Sequence, residues 1–223
     1  MNFVDWGLIY YNRATRRQLD FVEKIVLARS DVNAEGSSDT VIFCSHPPIV
    51  TVGRATEASD LGDWQGEIVE ASRGGRATYH GPSQLVAYPI LDLSLPRRKF
   101  GARDLHGYMR ALETAVVEAL AEFGISASGG QCTTAHGGTS RTGVWVANGS
   151  KKIASIGIAC RKWVVYHGVA LNIAHDTLAF SGINPCGMQT SVMTSIEEVL
   201  GCSVAKDQVT QAVRRSLETI LNN

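Results

Sequence analysis

The chain has 223 residues, 44% of them hydrophobic and 19% charged, the profile of a soluble globular protein with a real core. Its 21 Lys and Arg balance 21 Asp and Glu, which argues against a nucleic-acid binder with its basic excess. No apolar run approaches the roughly 18–20 residues that cross a bilayer. Five cysteines with no CxxC and no zinc spacing point to reduced thiols, not to a disulfide or metal framework.

In chain order, Phe3–Tyr11 has strand character, and its flanks lack the pattern of a secretory signal, so a cytoplasmic protein is expected. Ala14–Arg29 reads as a helix with Leu19, Val22 and Ile25 near one face. Thr40–Cys44 and Ile49–Val52 are short β-branched strands separated by His46-Pro47-Pro48. Glu67–Ala71 leads into a glycine-rich loop, and Gln84–Leu91 leaves it as a strand. The spacing of Leu105, Met109, Leu112, Val116, Leu120 and Phe123 predicts a helix over Asp104–Phe123, capped by Asp104 and ended by Gly124. Asn148-Gly149 predicts a hairpin between Gly143–Val146 and Ile153–Ile158. Trp163–Ile173 is a strand or a pair of strands, interrupted at His167-Gly168, where a bulge or a close backbone approach is expected. Thr194-Ser195-Ile196-Glu197 resembles a capping box, and Val209, Val213, Leu217 and Ile220 mark the core face of a last helix.

These elements interleave without a regular βαβ rhythm, and several strands are too close for parallel crossovers. Residues 1–223 therefore read as one α+β domain, with a mixed or largely antiparallel sheet and packed helices.

Three places carry candidate chemistry. The loop Arg73-Gly74-Gly75-Arg76-Ala77-Thr78-Tyr79-His80 is neither a P-loop nor a dinucleotide loop, and a strand follows it, so no helix N-terminus awaits a phosphate. Its paired glycines allow close backbone approach to a ligand; a bulged connection is the plain alternative. Cys186, between Pro185 and Gly187, sits on a fixed turn suited to a nucleophile. A thiol nucleophile needs a base or cation: His80, His167 or Lys152, the last at the head of an apolar strand where desolvation lets it exchange a proton.

The blocks Arg73-Gly74-Gly75, Thr78-Tyr79-His80-Gly81-Pro82, Lys152-Ile153-Ala154-Ser155-Ile156-Gly157, His167-Gly168-Val169-Ala170-Leu171-Asn172 and Pro185-Cys186-Gly187 stand in one order. Together with His46-Pro47-Pro48 and Gly143-Val144-Trp145, they resemble the octanoyltransferases of protein lipoylation. The resemblance implies a fold shared with biotin protein ligases and lipoate ligases, and no cofactor. It also implies transfer of an octanoyl group from acyl carrier protein to a lysine of lipoyl domains, those of 2-oxoacid dehydrogenases and the glycine cleavage H protein. This is the first step of endogenous lipoate assembly. The family's acyl-thioester cysteine falls on Cys186, and the lysine that lowers that thiol's pKa on Lys152. Its substrate contacts fall on Arg73 through His80, on Ser155, Ile156 and Gly157, and on Gly168, Val169 and Ala170. The resemblance is imperfect at Ser83, where the family usually has Gly, and at His175–Phe180. An ATP-dependent lipoate ligase with no essential cysteine, and a domain that binds lipoyl domains without acylating them, are the rival readings. Cys44, Cys132, Cys160 and Cys202 read as core or surface thiols.

Overall fold

Residues 1–29, 39–130 and 141–222 are described by a computed structural model; Cys132 lies outside them. Strand β1 (Asn2–Leu8) is followed by helix α1 (Tyr11–Ala28) and strands β2 (Thr40–Ser45), β3 (Ile49–Val52), β4 (Ile68–Glu70), β5 (Thr78–His80) and β6 (Gln84–Asp92). Helix α2 (Leu105–Ala121) comes next. Strands β7 (Ser128–Gly129), β8 (Val144–Val146), β9 (Lys151–Arg161) and β10 (Val164–Asn172) follow, then helices α3 (Ile196–Leu200) and α4 (Lys206–Leu221).

Among the described residues, seven strands form a mixed sheet in the order β1-β2-β6-β10-β9-β8-β7, with β1 and β2 parallel and the other pairs antiparallel. A second sheet, β4-β3-β5, carries the glycine-rich loop at its edge. The expected α+β class is the one observed.

Side-chain alternation sorts the core. Val41, Phe43, Leu85, Ala87, Leu91, Val165, Val169 and Leu171 face α2 and α4. Their neighbours Ile42, Cys44, Val86, Tyr88, Ile90, Val164, Tyr166 and Ala170 face α1. Because both faces of the central strands are covered, these strands read as unbroken apolar runs, without the polar alternation of a half-exposed sheet. Among the described residues, no helix is long and apolar enough to cross a membrane.

The structure refines several boundaries. The first strand stops at Leu8 and α1 begins at Tyr11 behind an extended Tyr10, so the predicted strand runs three residues too long and the predicted helix starts three late. Asp104 caps α2 through a 2.8 Å bond from the Gly107 N–H, and Gly124, at φ +74°, ends it. The capping box is displaced by one residue: Ser195 caps α3 and Glu198 answers it. Glu197 instead accepts from the His175 and Val204 N–H groups.

Residues 163–173 supply one strand, β10, not two. His167 sits at φ +58°, and a Cβ on Gly168 would lie 2.4 Å from the Ala87 carbonyl oxygen of β6. The obstructing atom is backbone in the middle of the sheet, so it cannot turn aside. Gly168→Ala is expected to cost about 1–3 kcal/mol, the range for overpacking a core. It should lower the urea midpoint with an unchanged slope; a parental midpoint would contradict the close approach.

Candidate active site

Cys186 occupies a one-turn 3-10 segment, Pro185–Gly187, in a left-handed conformation (φ +58°, ψ 26°) that a non-glycine residue rarely adopts. Proline before it and glycine after it, at φ +74°, shape the turn. Hydrogen bonds hold it from every side. The Cys186 N–H donates to Ala77 O at 3.0 Å, and the Asn184 N–H to Asp60 O at 2.8 Å. The Asn184 side-chain amide donates to Ser59 O at 2.7 Å, and the Thr190 hydroxyl to Ile183 O at 3.0 Å.

Of the three sequence candidates for a partner, Lys152 is the one that reaches the thiol: Nζ lies 3.4 Å from Cys186 Sγ. The lysine is 1% exposed. Its stem passes through space left by Gly143, where a Cβ would come within 2.6 Å of Lys152 Cε, and Nζ lies 5.6 Å from the Trp145 ring centroid. The chain leaving the cysteine turn returns to the same strand, where the Thr194 N–H donates to Lys152 O at 3.0 Å. A buried relay extends from there. The Asn172 amide donates to Thr194 O, the Gln84 amide donates to Asn172 Oδ1 at 2.9 Å, and Gln84 Oε1 meets His80 Nδ1 at 3.2 Å.

Beside Cys186 opens a narrow cavity of about 50 Å³. Most of the residues singled out from the sequence line it: Arg73, Gly75, Arg76, Thr78, His80, Ser155, Ile156, Gly157, Gly168, Val169 and Ala170. Gly74, Ala77 and Tyr79 do not. Gly74 is tied to β9 through its N–H on Ile158 O, and Ala77 and Tyr79 point into a separate apolar cluster with Val50, Phe180 and Ile183. Strand alternation explains the split, since Thr78 and His80 share one face of β5 and Tyr79 takes the other.

Arg73 and Arg76 are already engaged. Arg73 Nη2 donates to Thr51 O (2.8 Å) and Thr51 Oγ1 (2.6 Å), and Nη1 to Arg76 O (2.8 Å) and Gly74 O (3.1 Å). Arg76 pairs with Asp60 at 2.7 Å and Glu57 at 2.9 Å, which braces the loop against the segment that also anchors Asn184. The two departures from the family pattern meet in space: the Ser83 hydroxyl donates to Asp176 Oδ2 at 2.9 Å.

Sequence reading missed several wall residues. Tyr11 enters from the first turn of α1, with Val86 and Tyr88 from β6, and only their burial sets them apart. Glu113 was missed as well. It lies within the apolar face of α2, where a buried carboxylate is itself the signal. Its Oε1 accepts from the Gly143 N–H at 2.8 Å and Oε2 pairs with Arg110 at 2.6 Å. Burial raises its carboxyl above the ordinary range against these bonds and the nearby Lys152 charge.

Tyr11 stacks between His80 and His167, with ring centroids 5.9 and 6.1 Å away, and meets His46 edge-on. Burial drives these imidazoles toward the neutral form: His46 down to about 4, His167 down to about 3, and His80 well below its ordinary value. The same burial pushes Tyr11 up to about 12. The folded-state values of the histidines lie below those of the unfolded chain, so the unfolded chain takes up the protons first. Their contribution to stability is complete above pH ~6.5 and drains as pH falls toward about 4. Each neutral histidine then costs up to about 1.4 kcal/mol per pH unit. Urea midpoints are expected to fall steadily between pH 7 and 5, ahead of most carboxylate titration; a flat profile there would contradict buried neutral imidazoles.

Residues 17–218 match the model of the lipoyl protein ligase A/B catalytic domain family. An octanoyltransferase from Bdellovibrio bacteriovorus is 43% identical over 224 residues, covering 98% of both chains. Among solved structures, a putative lipoate protein ligase from T. acidophilum superposes with a TM-score of 0.69 at 20% identity, over 98% of this chain and 84% of that one. The biotin protein ligase of Aquifex aeolicus gives 0.53 at 12% identity, over 98% and 68%. The two structures share the fold, and the sequence match is full-length: the chain belongs to the lipoyl protein ligase A/B catalytic domain family and, within it, to the octanoyltransferases.

Proposed function

We propose that residues 1–223 act as one acyltransferase domain. It moves an octanoyl group from octanoyl-acyl carrier protein to a lysine of a lipoyl domain, through a thioester on Cys186. The observation that carries this reading is the 3.4 Å contact between Lys152 Nζ and Cys186 Sγ beside a mostly apolar cavity. A lysine held there accepts the thiol proton, and the resulting ammonium stabilises the thiolate across a short, partly buried gap.

The thiolate attacks the donor's thioester carbonyl. The carrier thiolate leaves with the proton returned by Lys152, and Cys186 holds the acyl chain. A neutral amine of the lipoyl domain then attacks the new thioester, Cys186 leaves as thiolate, and the surplus proton of the amine passes to the neutral Lys152 as the amide forms. Exchange between two thioesters is nearly balanced, whereas thioester to amide runs downhill, so the sequence of steps needs no nucleoside triphosphate.

Ser155, Gly157, Gly168 and Ala170 form a floor of small residues on β9 and β10, Val86 of β6 supplies apolar wall, and Ile156 and Val169, whose side chains face the α2 and α4 core, border the space through their backbone. At about 50 Å³ the space is far below the ~150 Å³ that holds a benzene-sized guest, so an octanoyl chain either displaces the wall or extends out of the open mouth.

After incubation with octanoyl-carrier protein, intact-mass analysis should find one octanoyl adduct, released by neutral hydroxylamine and absent from Cys186→Ser. Lys152→Ala should slow its formation by about 10²–10⁴-fold, the range for a lost general base. A full-level adduct in Cys186→Ser, or a parental rate in Lys152→Ala, would sink the mechanism.

A further inference from the structure

Attack of a thiolate on a thioester makes a tetrahedral intermediate whose oxygen carries a full negative charge, and donors aimed at that oxygen lower the barrier. Backbone N–H groups of a nucleophile's own turn commonly serve. Here they are spent: Cys186 N–H on Ala77 O, Gly187 N–H on Asn184 O and Met188 N–H on Pro185 O, at 3.0, 3.0 and 3.1 Å. The Gly74 N–H of the facing loop is spent on Ile158 O as well.

The cavity holds the opposite imbalance. Thr78 Oγ1 and Ser155 Oγ are buried and have no hydrogen-bond partner, although both residues line the cavity with Cys186. A buried hydroxyl left unpaired is costly, and such atoms in a folded protein call for an explanation. Thr78, 5% exposed, directly follows Ala77, whose carbonyl takes the Cys186 N–H. Ser155 stands three residues beyond Lys152 on β9. Two other cavity atoms also lack partners, Arg73 Nε and His167 Nδ1. The Arg73 guanidinium is anchored through both Nη atoms, and His167 pairs with Ile158, farther along β9 from Lys152.

We propose that the Thr78 and Ser155 hydroxyls are the oxyanion donors of this transferase. The proposal rests on Cys186 as the nucleophile. When the Cys186 sulfur bonds to the carbonyl carbon, the carbonyl π pair moves to oxygen, and the two O–H groups donate to it. On collapse the C=O bond re-forms, the donor's C–S bond breaks, and the departing thiolate takes the proton held by Lys152. In the second half-reaction the same hydroxyls receive the oxyanion made by the attacking amine.

Two reactions of the same thiol separate this role from a structural one. Acylation by octanoyl-carrier protein passes through an oxyanion; alkylation by iodoacetamide displaces iodide at a saturated carbon and forms none. Thr78→Val and Ser155→Ala should each slow single-turnover acylation, by about 10²–10³-fold where one donor carries most of the effect. Both should alkylate Cys186 at the parental rate, and Thr78→Ser should restore acylation. Parental acylation in both variants overturns the proposal. So does an equal fall in acylation and alkylation, which would mark the hydroxyls as supports of the cysteine turn. Cys186→Ser, run alongside, tests the nucleophile separately: an adduct there overturns the proposed function whatever the hydroxyl variants do.

Discussion

The site depends on one buried cation. Arg73 is 6% exposed, and among the described residues no carboxylate pairs with its guanidinium. An unpaired buried charge is expensive, so its hydrogen bonds decide whether it is tolerated. Three carbonyls and a hydroxyl supply them, from β3 and from the loop itself. Its stem crosses Gly157 of β9, where a Cβ would come within 2.9 Å of Arg73 Cδ, and the next residue's N–H bonds Ile158 O. The guanidinium thus ties the loop to the small sheet, and the Arg73 stem with the Gly74 N–H ties the loop to the large one. That fixes β5, and with it the Ala77 carbonyl on which the cysteine turn hangs. Burial lowers the Arg73 pKa, and its cationic field adds to the burial that keeps His80 and His167 neutral. One arginine therefore supports the geometry of the cysteine turn and adds to the burial that keeps the cavity's histidine wall neutral.

The lysine side has a matching support. Glu113 accepts from the Gly143 N–H and so holds the backbone that leaves a channel for the Lys152 stem. Its carboxylate also feels the lysine's charge. Lys152 is itself buried, with the half-buried Cys186 thiol in front of it, the Glu113 carboxylate close enough to feel its charge, and the Trp145 ring nearby. At low effective dielectric each of these interactions is stronger than at a surface. In the proposed mechanism, a proton moving between sulfur and nitrogen there is governed by groups whose positions are already set.

Much of this was legible in the sequence, and the exceptions have physical causes. Apolar runs gave the central strands because both sheet faces are covered. The Asn148-Gly149 hairpin was legible because Asn148 and Gly149 take the positive φ values, 55° and 84°, that these residues tolerate best. The capping box slipped because Thr194 with Glu197 and Ser195 with Glu198 both fit the spacing, and only three-dimensional competition for Glu197 chose between them. Pairing Cys186 with Lys152 took a family pattern, since 34 residues separate them and periodicity carries no information about such contacts. Tyr11 and Glu113 stayed hidden because each does chemistry-relevant work from a helix whose apolar stripe they appear merely to join. The engaged state of Arg73 and Arg76 was equally hidden: an arginine in a glycine-rich loop looks the same in sequence whether it grips a ligand or its own backbone.

The left-handed backbone at Cys186 ties these strands of argument together. Such a conformation costs of order 1–3 kcal/mol for a non-glycine residue, and the turn keeps it through the bonds to Ala77, Asp60 and Ser59. The conformation brings Sγ to Lys152 Nζ, but the hydrogen bond that stabilises it consumes the Cys186 N–H. A nucleophile turn therefore cannot serve here both as a pedestal and as its own oxyanion hole. In the proposed mechanism the donor for the developing charge therefore comes from elsewhere on the cavity wall. The unpaired hydroxyls of Thr78 and Ser155 lie on the two elements that the same constraint holds in place: β5, which carries the Ala77 carbonyl's neighbour, and β9, which carries Lys152. Under the proposed mechanism, holding the thiol by its backbone thus leaves oxyanion stabilisation to the hydroxyl side chains of the cavity wall.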